Sequence, residues 1–103
     1  MVREEAVRTP GMWAGVVRTE PGRLSSWHHH GDHESVIFVL SGRVQLECGP
    51  GGAKVFHARS GDYIYLPPRE IHREGNDGAE ESEIVVVRAG AGELVVNVAG
   101  PAE

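Results

Sequence analysis

Apolar and polar residues alternate in short runs along this chain. Glycine and proline break the runs every 8–15 residues or so, at Pro10-Gly11, Pro21-Gly22, residues 49–52, Pro67-Pro68, residues 76–78 and residues 90–92. Between the breaks lie strand-like segments. Val36, Ile37, Phe38, Val39 and Leu40 form a β-branched and aromatic run. Residues 43–48 and 62–66 alternate polar with apolar, and residues 84–87 and 94–98 are rich in valine. Only residues 1–8 hint at a helix, and eight residues are too few to hold one alone. The pattern predicts an all-β chain. Several short strands must close into a barrel or stack as a sandwich, or they leave unpaired edges. The polar stretch from Gly75 to Ser82 is predicted as an exposed loop, and no repeat at solenoid periods is present.

Alternation also sorts the candidate chemistry. Four of six histidines fall within residues 28–33, in the string Trp27, His28, His29, His30, Gly31, Asp32, His33, Glu34. On a strand, residues two apart share a face, so His28 and His30 point one way while Trp27 and His29 point the other. Neutral imidazole is the commonest metal ligand, and a pair at this spacing can grip one ion. His72, just after Pro67-Pro68 at the end of another strand, can reach the same ion from across a barrel. Three histidines with or without a carboxylate leave coordination positions open. That is the pattern of a catalytic or ligand-binding centre rather than of a closed structural one.

Composition narrows the setting. The 103 residues make one domain's worth of chain, taken as residues 1–103. With 10 Lys+Arg against 15 Asp+Glu the net charge is −5, which argues against a nucleic-acid partner. No apolar run approaches the ~18 residues of a membrane span, so no membrane partner is expected. The opening residues lack the apolar core of a signal peptide, and Cys48 stands alone; both fit a cytoplasmic setting. Gly49, Pro50, Gly51 and Gly52 read as a hairpin turn rather than a phosphate loop, because no Gly-Lys-Ser/Thr follows.

Two motifs carry a family resemblance. Gly22 is followed by five residues, His28-x-His30, three residues, Glu34, and seven residues to Gly42. Gly61 is followed by five residues, Pro67-x-Arg69, two residues, His72, three residues and Asn76. In this order the two motifs, at residues 22–42 and 61–76, resemble those of the cupins, specifically the small single-domain conserved-barrel type. The resemblance implies a double-stranded β-helix, or jelly-roll, barrel of two antiparallel sheets. It also implies a divalent transition metal (Fe, Mn, Ni, Zn or Cu) held by His28, His30, His72 and Glu34.

The chain departs from the family pattern in two places. Arg69 stands where the second motif has glycine, so its turn must avoid a positive φ or bear its cost. Counted back from Gly42, the position that usually holds the glutamate is Ser35, and Glu34 falls on the opposite parity. A bulge at Gly31-Asp32 would turn Glu34 inward. Otherwise three histidines hold the ion alone, or His33, which shares the parity of Ser35, takes part. Three neutral imidazoles without a carboxylate leave the ion strongly cationic, which favours an anionic, bidentate small molecule. The expected function is a metal-dependent, oxygenase-type enzyme acting on a small molecule. The alternatives are a non-catalytic module that senses a ligand or metal, and a sugar isomerase or epimerase. A homodimer formed through the long β-edges is expected.

Overall fold

In a computed structural model that describes residues 1–92 and 94–101, the chain folds into ten strands. They are β1 (Val2–Thr9), β2 (Met12–Thr19), β3 (His28–His29), β4 (Glu34–Ser41), β5 (Arg43–Cys48), β6 (Lys54–Arg59), β7 (Tyr63–Leu66), β8 (His72–Gly75), β9 (Ser82–Ala89) and β10 (Val96–Asn97). One sheet has the order β1-β2-β9-β4-β7 and the other β10-β3-β8-β5-β6; every pairing is antiparallel. The expected two-sheet, all-β architecture is present.

Strict alternation builds the space between the sheets. Along β9, Ser82, Ile84, Val86 and Arg88 are buried while the residues between them are not. Val17, Ile37, Val39, Val44, Leu46, Leu66, Ile84 and Val86 fill the centre. These β-branched and leucine side chains suit the pleated inner face of a strand. Gly15 lies in this layer because the indole of Trp13 folds over it; a Cβ there would meet the ring at 2.7 Å.

The two ends of the chain and the stretch before β9 add detail to this picture. The weak helical hint over residues 1–8 comes to nothing, as its shortness requires. Residues 2–8 lie in β1, an exposed edge strand whose peptide groups bond to β2 across a hairpin at Pro10-Gly11, with an irregularity between Glu5 and Val7. Pairing with β2 supplies what an isolated two-turn helix lacks. The loop expected from Gly75 to Ser82 is present and mostly exposed over residues 76–81, with its two end residues taken up by β8 and β9 and with Asn76 as its buried anchor. Asn76 is buried and donates from Nδ2 to the carbonyls of Thr19 (2.9 Å) and Glu80 (2.6 Å). Finally, the valine-rich segment at residues 94–98 is a strand only at Val96–Asn97. The Gly-rich turn at residues 49–52 does join β5 to β6, through one 3-10 turn at Pro50–Gly52.

Candidate metal centre

His28 opens the short strand β3, and His30 lies just past its end. His72 opens β8 and pairs directly with His28 across the ladder. The spacing of two puts both members of the first pair on the inner face, as alternation requires. All three are buried, with His72 at 0% exposure. Their ring centroids form a triangle of 4.3, 5.0 and 5.0 Å, and one ring nitrogen from each lies within 4.8 Å of the others. Metal–nitrogen bonds of about 2.1 Å put ligand nitrogens ~3–4 Å apart, so closing on an ion takes only small rotations.

The hydrogen bonds fix which nitrogen is available. Nδ1 of His28 lies 2.8 Å from the carbonyl of Ser26, Nδ1 of His30 lies 2.6 Å from that of Leu94, and Nδ1 of His72 lies 2.9 Å from that of Glu70. A carbonyl only accepts, so each Nδ1 carries the proton and donates it. Each Nε2 then keeps a lone pair, directed away from the backbone. Nε2 of His72 is buried with no hydrogen-bond partner. An orphaned acceptor of this kind is costly unless something fills it. Backbone carbonyls that orient a ligating imidazole through its other nitrogen are the common supporting arrangement of a metal site. The donor set therefore fits a transition-metal ion.

Two of the rings, those of His30 and His72, are held toward the neutral form. Burial, then the nearby Arg88 charge, push the imidazole of His30 down to about 3, against the hydrogen bond to Leu94. Burial lowers His72 as well, although the charge of Glu74 opposes it. Neutral imidazole is the ligating form.

Glu34 is not brought to this cluster. It is exposed at the start of β4, and its Oε1 accepts a hydrogen bond from the Tyr65 hydroxyl at 3.3 Å. The ladder runs unbroken from Glu34↔Ala89 to Ser35↔Arg88, so no bulge reverses the parity and Ser35 takes the inner face. The backbone does turn at residues 30–33, where the N–H of His33 donates to the carbonyl of His30, but the turn ends before the strand begins. His33 is buried yet apart from the triad, its Nδ1 held 2.9 Å from the same carbonyl. His29 points outward, and its Nδ1 accepts from the N–H of Gly31.

Two interior groups escaped the sequence reading. Arg88 is buried beneath the Trp13 ring, 5.1 Å from its centroid, and Glu74 is buried two residues beyond His72. Both are inward by parity, but a charged residue near a strand end reads first as solvent-facing. The signal was available for Glu74, because residues 72 and 74 must share a face. Arg73, on the outer parity, pairs with Glu47 at 3.0 and 3.1 Å and stacks 4.5 Å from the Trp27 ring.

A cleft of about 480 Å³ opens between the edge strands β6 and β7. Phe56, Tyr63 and Tyr65 are among its lining residues, as are the buried Cys48 and Leu66. Cys48 pairs with His72, and Leu66 with Ser35. The cleft thus reaches the strand neighbours of the interior polar residues.

The sequence profile of the cupin domain family matches residues 15–88. No curated protein matches the chain. An uncharacterized conserved protein with a double-stranded β-helix domain from Klebsiella pneumoniae superposes with a TM-score of 0.83 at 24% identity, over 94% of this chain and 83% of that one. An oxalate oxidase gives 0.73 at 24% identity, over 85% of this chain and 46% of that one. A putative sugar phosphate isomerase from Acidithiobacillus ferrooxidans gives 0.66 at 27% identity, over 77% and 50%. This chain spans about half the length of those last two.

Proposed function

The chain belongs to the cupin family, and from that premise we propose that it is a metal-dependent, oxygenase-type enzyme acting on a small anionic molecule at a divalent ion held by His28, His30 and His72. One observation carries the reading. All three Nδ1 atoms are committed to backbone carbonyls, which leaves three Nε2 lone pairs inside the barrel. Iron, manganese, nickel, copper and zinc all suit such ligands. When bound, the ion supplies Lewis acidity and, if redox-active, electron transfer, with its double charge undiminished by any carboxylate in the triad.

The protein's own residues do the rest. The strand frame holds the three imidazoles oriented, and burial keeps those of His30 and His72 neutral. Leu46, Leu66 and Ile37 keep bulk water from the interior. The cleft between β6 and β7 offers the approach for a small molecule, and its size is ordinary for such a ligand. The similarity to an oxalate oxidase supports a small carboxylate as the substrate class. Pairing with a second copy through the exposed β-edges and a cytoplasmic setting belong to the same reading; no described helix is long and apolar enough to cross a membrane.

The test starts with elemental analysis of protein purified without a tag. Oxygen consumption is then followed with dicarbonyls, catechols, thiols and oxalate. About one metal ion per chain with turnover on one of these classes supports the reading. Stoichiometric metal without turnover moves the protein to a ligand- or metal-sensing module, and absence of metal uptake removes the reading altogether. A second reading, sugar phosphate isomerisation, is supported by the Acidithiobacillus neighbour and by Glu74, a buried carboxylate with an unpartnered oxygen that can serve as a base. Isomerisation of a sugar phosphate without oxygen uptake would select it.

A further inference from the structure

A single row of side chains crosses the inner face of the β1-β2-β9-β4-β7 sheet. In order it is Trp13, Arg88, Ser35 and Leu66, each the direct strand neighbour of the next. All four are buried. Trp13 and Leu66 suit that place; the pair between them does not. Arg88 is 3% exposed and Ser35 is 1% exposed, and Nε of the first and Oγ of the second have no hydrogen-bond partner. Among the described residues no carboxylate forms an ion pair with Arg88. Glu74 shares the interior and steadies the Arg88 charge from a distance, but its own Oε2 is unpartnered too.

Leaving a buried charge and a buried hydroxyl without hydrogen bonds is expensive. Burial pushes Arg88 down to about 10, so the guanidinium stays charged at neutral pH. Trp13 covers the guanidinium on one side, an arrangement that favours the cation electrostatically and leaves its donor edge to face elsewhere. The adjacent Ser35 hydroxyl adds a donor one strand away. A planar fork beside a hydroxyl matches a carboxylate, which accepts two parallel N–H bonds and has lone pairs to spare. The position also counts. Arg88 lies on the sheet opposite the imidazoles, and its charge is felt by both His30 and His72.

We propose that Arg88 and Ser35 form a carboxylate-binding subsite inside the barrel, which positions an anionic small molecule against the imidazole triad. Its role as a substrate anchor rests on the metal-centre reading above; its affinity for carboxylates does not. Phosphate is the poorer ligand, because a tetrahedral oxyanion is bulkier than a planar carboxylate group, and Trp13 and Leu66 close the row at its two ends.

The test uses the full chain freed of metal by a chelator. Acetate and malonate should each raise its melting temperature above that in chloride of equal ionic strength, with inorganic phosphate giving less. By calorimetry, Arg88→Met should weaken malonate binding about thirtyfold and Ser35→Ala about fivefold. Arg88→Lys, which keeps the charge but loses the fork, should fall between wild type and Arg88→Met. Arg88→Met should melt no lower than wild type, since it removes a charge without a partner. A structural arginine would instead lower the melting temperature when lost. The proposal is overturned if neither carboxylate protects beyond chloride, if phosphate protects and they do not, or if Ser35→Ala and Arg88→Lys both bind like wild type. Those last two variants decide the matter should Arg88→Met fail to fold. Cobalt(II) uptake, measured separately, keeps the two readings apart. Uptake without carboxylate binding removes the subsite and spares the metal centre, and carboxylate binding without uptake does the reverse.

Discussion

Arg69 shows how one side chain strains a turn that the fold needs. It adopts φ 61°, the one positive φ outside glycine among the described residues, where the second motif has glycine. Its N–H donates to the carbonyl of Gly31, and its guanidinium pairs with Asp32 at 2.8 Å, so the strained turn tethers the segment that carries His30. A left-handed residue costs about 1–2 kcal/mol, and glycine gives back part of that in unfolded-state entropy. Arg69→Gly should therefore stabilise the chain by about 0.5–1 kcal/mol, read as a higher urea midpoint; a lower one would show that the Asp32 pair outweighs the strain. His30 gives the pH dependence of the metal-free protein. Its ring titrates near 6.5 when unfolded and about 3 when folded. Between those values the unfolded chain binds the extra proton. The His30 contribution is complete above pH 6.5 and is lost as pH falls toward 3, at about 1.4 kcal/mol per pH unit. His30→Gln should flatten the acid limb by one proton. Equal slopes for the two proteins between pH 6 and 4 would refute the assignment.

At the scale of the element, β2 depends on one absence. Gly15 lies in the inner layer where Trp13 folds back over it, and a Cβ would also collide with the backbone carbonyl of Glu4. A strand glycine usually marks such a close approach. Gly15→Ala should cost about 2 kcal/mol or more through overpacking, a fall in melting temperature of roughly 10 °C for a chain of this size. An unchanged melting temperature would mean that β1 yields freely. Parity, read along β4 and β8, decides which residues enter the site. It excludes Glu34 and admits Ser35 on one strand, and it places His72 and Glu74 together on the other.

For the whole molecule, the pairing of β3 with β8 inside one sheet brings together histidines that the chain separates by over forty residues. Metal bound to the folded state alone should stabilise it by mass action, about 2.7 kcal/mol at a hundredfold excess over the dissociation constant. Added zinc or cobalt should raise the melting temperature and a chelator should reverse it. His72→Ala should abolish the shift, whereas Glu34→Gln should leave it intact. Loss of the shift in Glu34→Gln alone would return that carboxylate to the shell.

Alternation, turn residues and the His-x-His spacing determined the β architecture and the inward pair from the chain alone, because side-chain direction on a strand is a local property with a period of two. Register depends on which strands pair, and burial depends on what the second sheet covers. So the pairing of His28 with His72, the bond that ties His30 to the distant carbonyl of Leu94 and the burial of Arg88 beside Ser35 were settled only in the folded barrel. A charge near a strand end looks like surface until the opposite wall is in place.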